Sequence, residues 1–248
     1  IIAMIKIITW ITKIIVIVLT ALFFSSCHFD YNSIKGSGRI TTEKRTITEK
    51  FTGIEVNSAI ELSIEQSNET EIVVEADDNL QNTILTEVKN GKLIISNKSY
   101  TNIHNGTRKV SVKMPVIEGL EASSAASITS RNTLKGNQIY IKSSSAATIN
   151  LNKLEMDAIV SNSSSGSTIK LKGLTLKLES TASSGSTTKC SQLLANEVIA
   201  DASSGSNIEI HPIVSLKAEA SSGASINYNN APKTINQKSS SGGSINQN

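Results

Sequence analysis

The sequence predicts an all-β protein: a parallel β-solenoid of two sheets with coils of about 20 residues, behind a more irregular β-rich N-terminal part. Three observations carry this. A short motif recurs seven times, as "SSAASITS", "SSAATINL", "SSGSTIKL", "SSGSTTKC", "SSGSNIEI", "SSGASINY" and "SSGGSINQ". Its first serines, Ser123, Ser144, Ser164, Ser183, Ser203, Ser221 and Ser240, lie 21, 20, 19, 20, 18 and 19 residues apart. The segments between motifs alternate apolar and polar with period two, and are too short and too β-branched for paired helices.

The chain opens on a leader. Lys6 and Lys13 give a positive front, "IIVIVLTALFF" (Ile14–Phe24) is an apolar run of signal length, and Ser25 and Ser26 are small. Residues 1–26 therefore read as an export signal with Met4 as initiator. Small-small-Cys at Cys27 resembles a bacterial lipobox, with Phe24 where such a box usually carries Leu. The expectation is lipidation of Cys27 and a tether over 27–38, polar from Asp30 to Gly38. An uncleaved membrane anchor over Ile7–Phe24 is the alternative. With Cys27 destined for lipid, Cys190 has no disulfide partner.

The N-terminal β part spans 39–116. "FTGIEVNSAIELSIEQ", "EIVVEA", "GKLIISN" and "KVSVKMP" alternate as strands, and "DDNLQNTILTEV", ending at Val88, predicts a short helix capped by Asp77 or Asp78. "VNSAIELSI" echoes the later motif, which makes this part irregular, longer coils of the same solenoid.

The regular repeats occupy 117–248. Five residues after each first serine stand Ile128, Ile149, Ile169, Thr188, Ile208, Ile226 and Ile245; five before the next stand Ile139, Ile159, Leu178, Val198, Leu216 and Ile235. These are inward columns. Immediately before the motif the column shrinks to Ser143, Ser163, Ala182, Ala202, Ala220 and Ser239, so the core tapers to a corner made by the Ser-Ser-Gly triplet. Gly166, Gly185, Gly205, Gly223 and Gly242 suit a positive φ there. Ala125 and Ala146 replace glycine in the first two coils, which argues that the left-handed conformation is not obligatory at every corner. Seven coils at strand spacing give a rod of about 30–35 Å. Cys190 falls in an inward column as a small buried hydrophobe. "KLKGLTLK" reads as an exposed lysine face alternating with buried leucines, and the tail from Ser240 as a polar end-cap.

The order F-x-x-I-x-V-x-x-x-I-x-L-x-I (Phe51–Ile64), "VEADDNL" (Val74–Leu80), G-x-L-x-I (Gly91–Ile95) and "VSVKMP", followed by serial S-S-G-S turns, resembles the DUF2807 family, the head GIN domain adhesin-like lipoproteins of Bacteroidetes. The likeness covers roughly Ile47–Asn248. It implies a right-handed, pectin-lyase-like β-helix, an adhesive role, a homo-trimer and no catalytic residues. It also implies the bacterial outer membrane as location, on either its periplasmic or its cell-surface side.

Composition narrows function further. Aromatics are 4%, low for an enzyme with a deep apolar pocket, and without the leader's two lysines the chain has 22 basic and 21 acidic residues. No clustered basic face points to nucleic acid. Polysaccharide-cleaving chemistry needs grouped acids or a metal site. The nearest approach is Asp201 and Glu219, predicted stacked neighbours about 5 Å apart, with Lys238 and Lys217 to neutralise them and no third ligand. His28, His104 and His211 are scattered and form no metal pair. No catalytic residue, metal or cofactor is expected. The expected surface is an outward ladder of Ser127, Thr148, Thr168, Thr187, Asn207, Ser225 and Ser244, suited to a glycan or a protein edge, or simply solvated. The expected protein is thus a non-enzymatic, lipid-anchored envelope recognition module. A polysaccharide-active enzyme and a periplasmic assembly or sensing component are the alternatives.

Overall fold

A computed structural model describes residues 2–25, 32–98 and 101–248 of the chain; Cys27 and His28, and with them the expected lipidation site, lie outside the described residues. The N-terminal segment forms helix α1 (Ile2–Ser25), whose described side chains, Lys6 to Thr20, are all exposed. Among the described residues no helix is long and apolar enough to cross a membrane.

The chain then builds a base. Within the segment read as a tether, β1 (Asn32–Lys35) forms a strand. After it come β2 (Ile40–Arg45), β3 (Gly53–Val56), β4 (Glu61–Gln66) and β5 (Glu71–Asp77). A single 3-10 turn at Gln81–Thr83 leads into β6 (Ile84–Lys89), β7 (Lys92–Asn97), β8 (Thr101–His104) and β9 (Arg108–Met114). β1 pairs in parallel with β8 as a separate two-stranded sheet. β3 and β4 form one coil, with β7 and β9 stacked in parallel on one side of it and the first regular coil on the other. β5 and β6 close the far side antiparallel to β9 and β7, and β2 lines the edge of β5.

The helix expected before Val88 is therefore one 3-10 turn and a strand. The overriding signal is "VKNGKL": Asn90 and Gly91 both take positive φ, 53° and 73°, the turn that folds β6 back on β7. Asp77, read as a helix cap, instead accepts backbone N–H bonds from Gly38 at 2.5 Å and Thr107 at 2.6 Å. It pins the entry strand to the base.

The regular coils follow as β10 (Gly119–Ala122), β11 (Ser127–Ser130), β12 (Leu134–Ser143), β13 (Thr148–Ser163), β14 (Thr168–Ala182), β15 (Thr187–Ala202), β16 (Asn207–Ala220), β17 (Ser225–Tyr228), β18 (Thr234–Ser239) and β19 (Ser244–Gln247). All pair in parallel with neighbouring coils, as a solenoid of about 6 turns. In the middle coils the two expected strands run together as one bent strand, 16 residues long in β13 and β15.

The inward columns are in register: Ile139 on Ile159, Leu178, Val198, Leu216 and Ile235, and Ile128 on Ile149, Ile169, Thr188, Ile208, Ile226 and Ile245. Most are at or below 2% exposed, and each fully buried aliphatic side chain is worth about 1.5–3 kcal/mol. The exceptions are Ile235, at 42%, and the half-buried Ile245, because β18 and β19 have no coil above them among the described residues. Thr188 replaces isoleucine without leaving a bare hydroxyl: it lies 2.9 Å from Ser163 Oγ, which is 3.0 Å from Ser186 Oγ. Around Thr188 the narrow end of the core is thus polar but paired, while Ser180 Oγ, buried nearby in the same coil as Ser183, has no partner among the described residues.

One expected face is corrected. In "KLKGLTLK", Leu171 is buried, but Leu174 and Leu176 are 54% and 55% exposed while Thr175 is buried. The register of β13 on β14 shifts between Leu151 and Leu154, where Gly173 lies opposite with φ 131°. β13 carries the extra residue of that shift, whereas β14 alternates without a break through Leu171, Gly173 and Thr175, so Leu174 and Leu176 fall on the outward face.

Candidate functional site

The site is organised by the corners. In each, a backbone N–H closes on the carbonyl three residues earlier, as Ser167 on Ser164, Ser186 on Ser183 and Ser206 on Ser203, each at 3.2 Å. The two central residues both take positive φ, as in Ser165 and Gly166 at 52° and 67°. Contrary to expectation, Ala125 and Ala146 share this conformation, each at 60°. The reason lies between coils: the second central N–H of every corner donates to the first central carbonyl of the next. Ala125 reaches Ser145, Ala146 reaches Ser165, and Gly166 reaches Ser184. Those bonds require left-handed backbone whether or not the residue is glycine, and alanine carries the strain. Asn57–Ile60 makes the same corner, with Ala59 N donating to Ser124 O at 2.9 Å. The echo in "VNSAIELSI" is therefore a coil of the same solenoid.

The fourth motif position explains its serines. Ser167, Ser186 and Ser206 are buried, and their hydroxyls donate to the carbonyls of Ser143, Ser163 and Ala182 at 2.8–2.9 Å. They fasten each corner to the coil before it.

The outward ladder is assembled as the sequence places it. Ser127 stacks on Thr148, then Thr168, Thr187, Asn207, Ser225 and Ser244, all half-buried. The hydroxyls of Thr148, Thr168 and Thr187 make no hydrogen bond to another described residue. Asn207 differs: its Oδ1 accepts from Ser225 Oγ at 2.7 Å and Asn227 Nδ2 at 3.1 Å. The three threonines thus present unused donors and acceptors about 4.8 Å apart, while the Asn207 end is internally satisfied.

Asp201 and Glu219 are register neighbours, as expected, in a column with Thr181 below and Lys238 above. Lys217 Nζ stands 3.2 Å from Glu219 Oε1. Among the described residues no group of three or more His, Cys, Asp or Glu converges as for a metal ion. His104 lies in β8 and His211 in β16, in different parts of the molecule. Cys190 is fully buried, and desolvation pushes its thiol up to about 12.

A feature that sequence reasoning missed lies on the other side of the corners. Lys92, Gly53, Gly119 and Tyr140 are register neighbours across β7, β3, β10 and β12. They floor a groove of about 380 Å³, with Glu121, Lys142 and Asn162 along one side. Lys92 is ion-paired with Glu121, which raises the lysine pKa above its ordinary value. An outward aromatic between the inward Ile139 and Ile141 is visible in the sequence. The stacking of Gly53 on Gly119, 66 residues apart, is not.

The comparisons agree with this architecture. The DUF2807 family model, described as "Putative auto-transporter adhesin, head GIN domain", matches residues 50–232. A solved structure called a putative adhesin, from Bacteroides fragilis, is similar with a TM-score of 0.81 at 19% identity, over 87% of this chain and 100% of that one. A second, from Parabacteroides merdae, is similar with a TM-score of 0.70 at 21% identity, over 88% and 99%. A third, called a putative lipid binding protein, from Parabacteroides distasonis, gives 0.72 at 19%, over 88% and 100%. No curated protein matches. At such identities the structural likeness speaks for the fold, while the family match runs from the strand pair that starts the solenoid to the loop after Tyr228, and by that match the chain belongs to the DUF2807 family.

Proposed function

We propose that this chain is a non-enzymatic, adhesin-like recognition module of the bacterial cell envelope. In this reading residues 1–26 export it, Cys27 carries a lipid that holds it to the outer membrane, and the solenoid presents the Thr148–Thr168–Thr187 face to a glycan or protein surface. The observation that carries the reading is the in-register stack of three unused hydroxyls on a rigid parallel sheet. Repeating groups at fixed spacing suit a repeating ligand. The family description and the names given to the similar structures support it. The acidic pair adds no enzymatic reading, because Glu219 is held by Lys217 and no third ligand approaches among the described residues.

The test compares the wild-type solenoid with a Thr148→Ala, Thr168→Ala, Thr187→Ala variant on a glycan array and on immobilised extracellular-matrix proteins. The variant is expected to lose binding with its β-sheet circular dichroism intact. Equal binding by both rejects the face. Protease access to the solenoid on intact cells tests location. Protection until permeabilisation overturns the adhesin reading in favour of a periplasmic assembly component.

A further inference from the structure

We infer that the groove around Tyr140 is a binding subsite for a neutral pyranose chain. The inference rests on the recognition reading above but uses a different face from the threonine ladder. Tyr140 is 55% exposed, and it is the exposed aromatic of the solenoid among the described residues. Its position is fixed: Ile139 and Ile141 on either side are buried, and its backbone N–H donates to Glu118 O at 2.8 Å. Such a ring offers an apolar face with a polar edge, the surface on which the C–H face of a sugar stacks.

Beside the ring, Gly119 and Gly53 continue the same outward column. Neither has positive φ. A Cβ at Gly119 would meet only Gly53 Cα at 3.7 Å, an ordinary contact, and one at Gly53 would lie 3.2 Å from Cγ of the flexible Lys92 chain. Folding therefore requires glycine at neither position, although glycine weakens a strand. What the two glycines do create is a low floor one and two strand spacings, about 5 and 10 Å, from the ring, bare at Gly119 and crossed at Gly53 only by the flexible Lys92 chain on its way to Glu121.

The rim supplies hydrogen-bonding groups on Lys92, Glu121, Lys142 and Asn162. Lys92 and Lys142 balance Glu118 and Glu121 in formal charge, which favours a ligand without charge. Tyr140 and Glu118 also wall a second hollow of about 600 Å³, lined among others by Gln66, Lys135 and Asn137. The ring thus stands between two hollows of ligand-binding size, with room for more than one sugar unit.

The test is isothermal titration of the soluble solenoid with β-1,4-linked hexamers of glucose, xylose, mannose and N-acetylglucosamine. At least one hexamer is expected to bind. Tyr140→Ala and Gly119→Val should each weaken it about tenfold or more, by removing the platform and by filling the floor. Tyr140→Phe, which keeps the ring, and the triple threonine variant should stay close to wild type, and all variants should melt cooperatively. Binding by none of the hexamers, or equal binding by wild type and Tyr140→Ala, overturns the inference. Loss in the threonine variant with retention in Tyr140→Ala also overturns it, while leaving the recognition reading of the ladder standing.

Discussion

The guanidinium of Arg108 donates through Nη1 to the carbonyl oxygen of Ser58 at 3.0 Å, in the place a further corner would fill. At every later corner the matching carbonyl receives a backbone N–H from the preceding coil. The coil formed by β3 and β4 has no such corner before it, and a side chain from β9 takes the role, helped by Asn97 Nδ2 at 3.4 Å. Replacing Arg108 with Met, which keeps much of its volume, removes a charge-assisted donor from a partly buried carbonyl. The expected loss is about 1.5–3 kcal/mol, read as a lower urea midpoint at unchanged slope. An unchanged midpoint would show that Asn97 suffices.

The buried serines of the fourth motif position make a milder prediction. Ser186 donates to Ser163 O at 2.9 Å and accepts from Ser183 N at 3.2 Å. Ser186→Ala should cost about 1–2 kcal/mol. It should not change the fold, because Ala126, Ala147 and Ala224 occupy the same place in other coils. Thermal unfolding monitored by circular dichroism checks both points.

Gly173 is far less tolerant. Its φ is 131°, and an added Cβ would lie 2.1 Å from Leu154 O. Gly173→Ala should cost about 3 kcal/mol or more, through backbone strain together with overpacking against a main chain that cannot yield. The expected outcome is a sharply lowered melting temperature or insoluble expression. A variant as stable as wild type would mean that the irregularity at Leu154 can be redistributed.

Cys190 gives a chemical test of the core. Its folded-state thiol is raised from 9.0 to about 12, chiefly by desolvation. In a Cys27→Ser chain it is the only thiol. At pH 8 a thiolate fraction of about one in ten thousand leaves it inert to an aromatic disulfide reagent, while denaturant should release one equivalent. The linkage has a definite sign. Between pH 9 and 12 the unfolded chain loses this proton and the folded one keeps it, so stability contributed here is complete below pH 9 and falls as pH rises toward 12. Rapid labelling of the folded protein at pH 8 would contradict the buried placement.

Much of this architecture was legible because a repeat exposes its own rules. Once the first serines are aligned, Ile149, Ile169 and Ile208 fall into one column and Thr148, Thr168 and Thr187 into another, and parallel stacking leaves no other register that buries the first set. Legibility failed in β14. The alternation runs on from Leu171 through Gly173 to the buried Thr175, so Leu174 and Leu176, out of step with Leu171 in the sequence, point outward. It failed again at Ala125 and Ala146, where a bond between coils, invisible to local propensity, imposes a left-handed backbone. The Tyr140 groove was hidden because its floor joins Lys92 and Gly53, from two segments of the base outside the regular repeat, to Gly119 of the first regular coil.

The base has a consequence for how the chain reaches this structure. The coil of β3 and β4 is laid first, yet it lies between β7 and β9 on one side and β10 and β11 on the other. Its capping contact joins residues 50 positions apart, Ser58 and Arg108. Each later coil closes over only about 20 residues onto an edge already present, a smaller loop with a ready template. A chain emerging N-terminus first therefore holds an unfinished platform until Met114 is out, and from then on adds one layer at a time. On this topology the irregular part is expected to form before the serine corners propagate it, and pulsed hydrogen exchange that protected β13–β16 before β3–β9 would contradict that order.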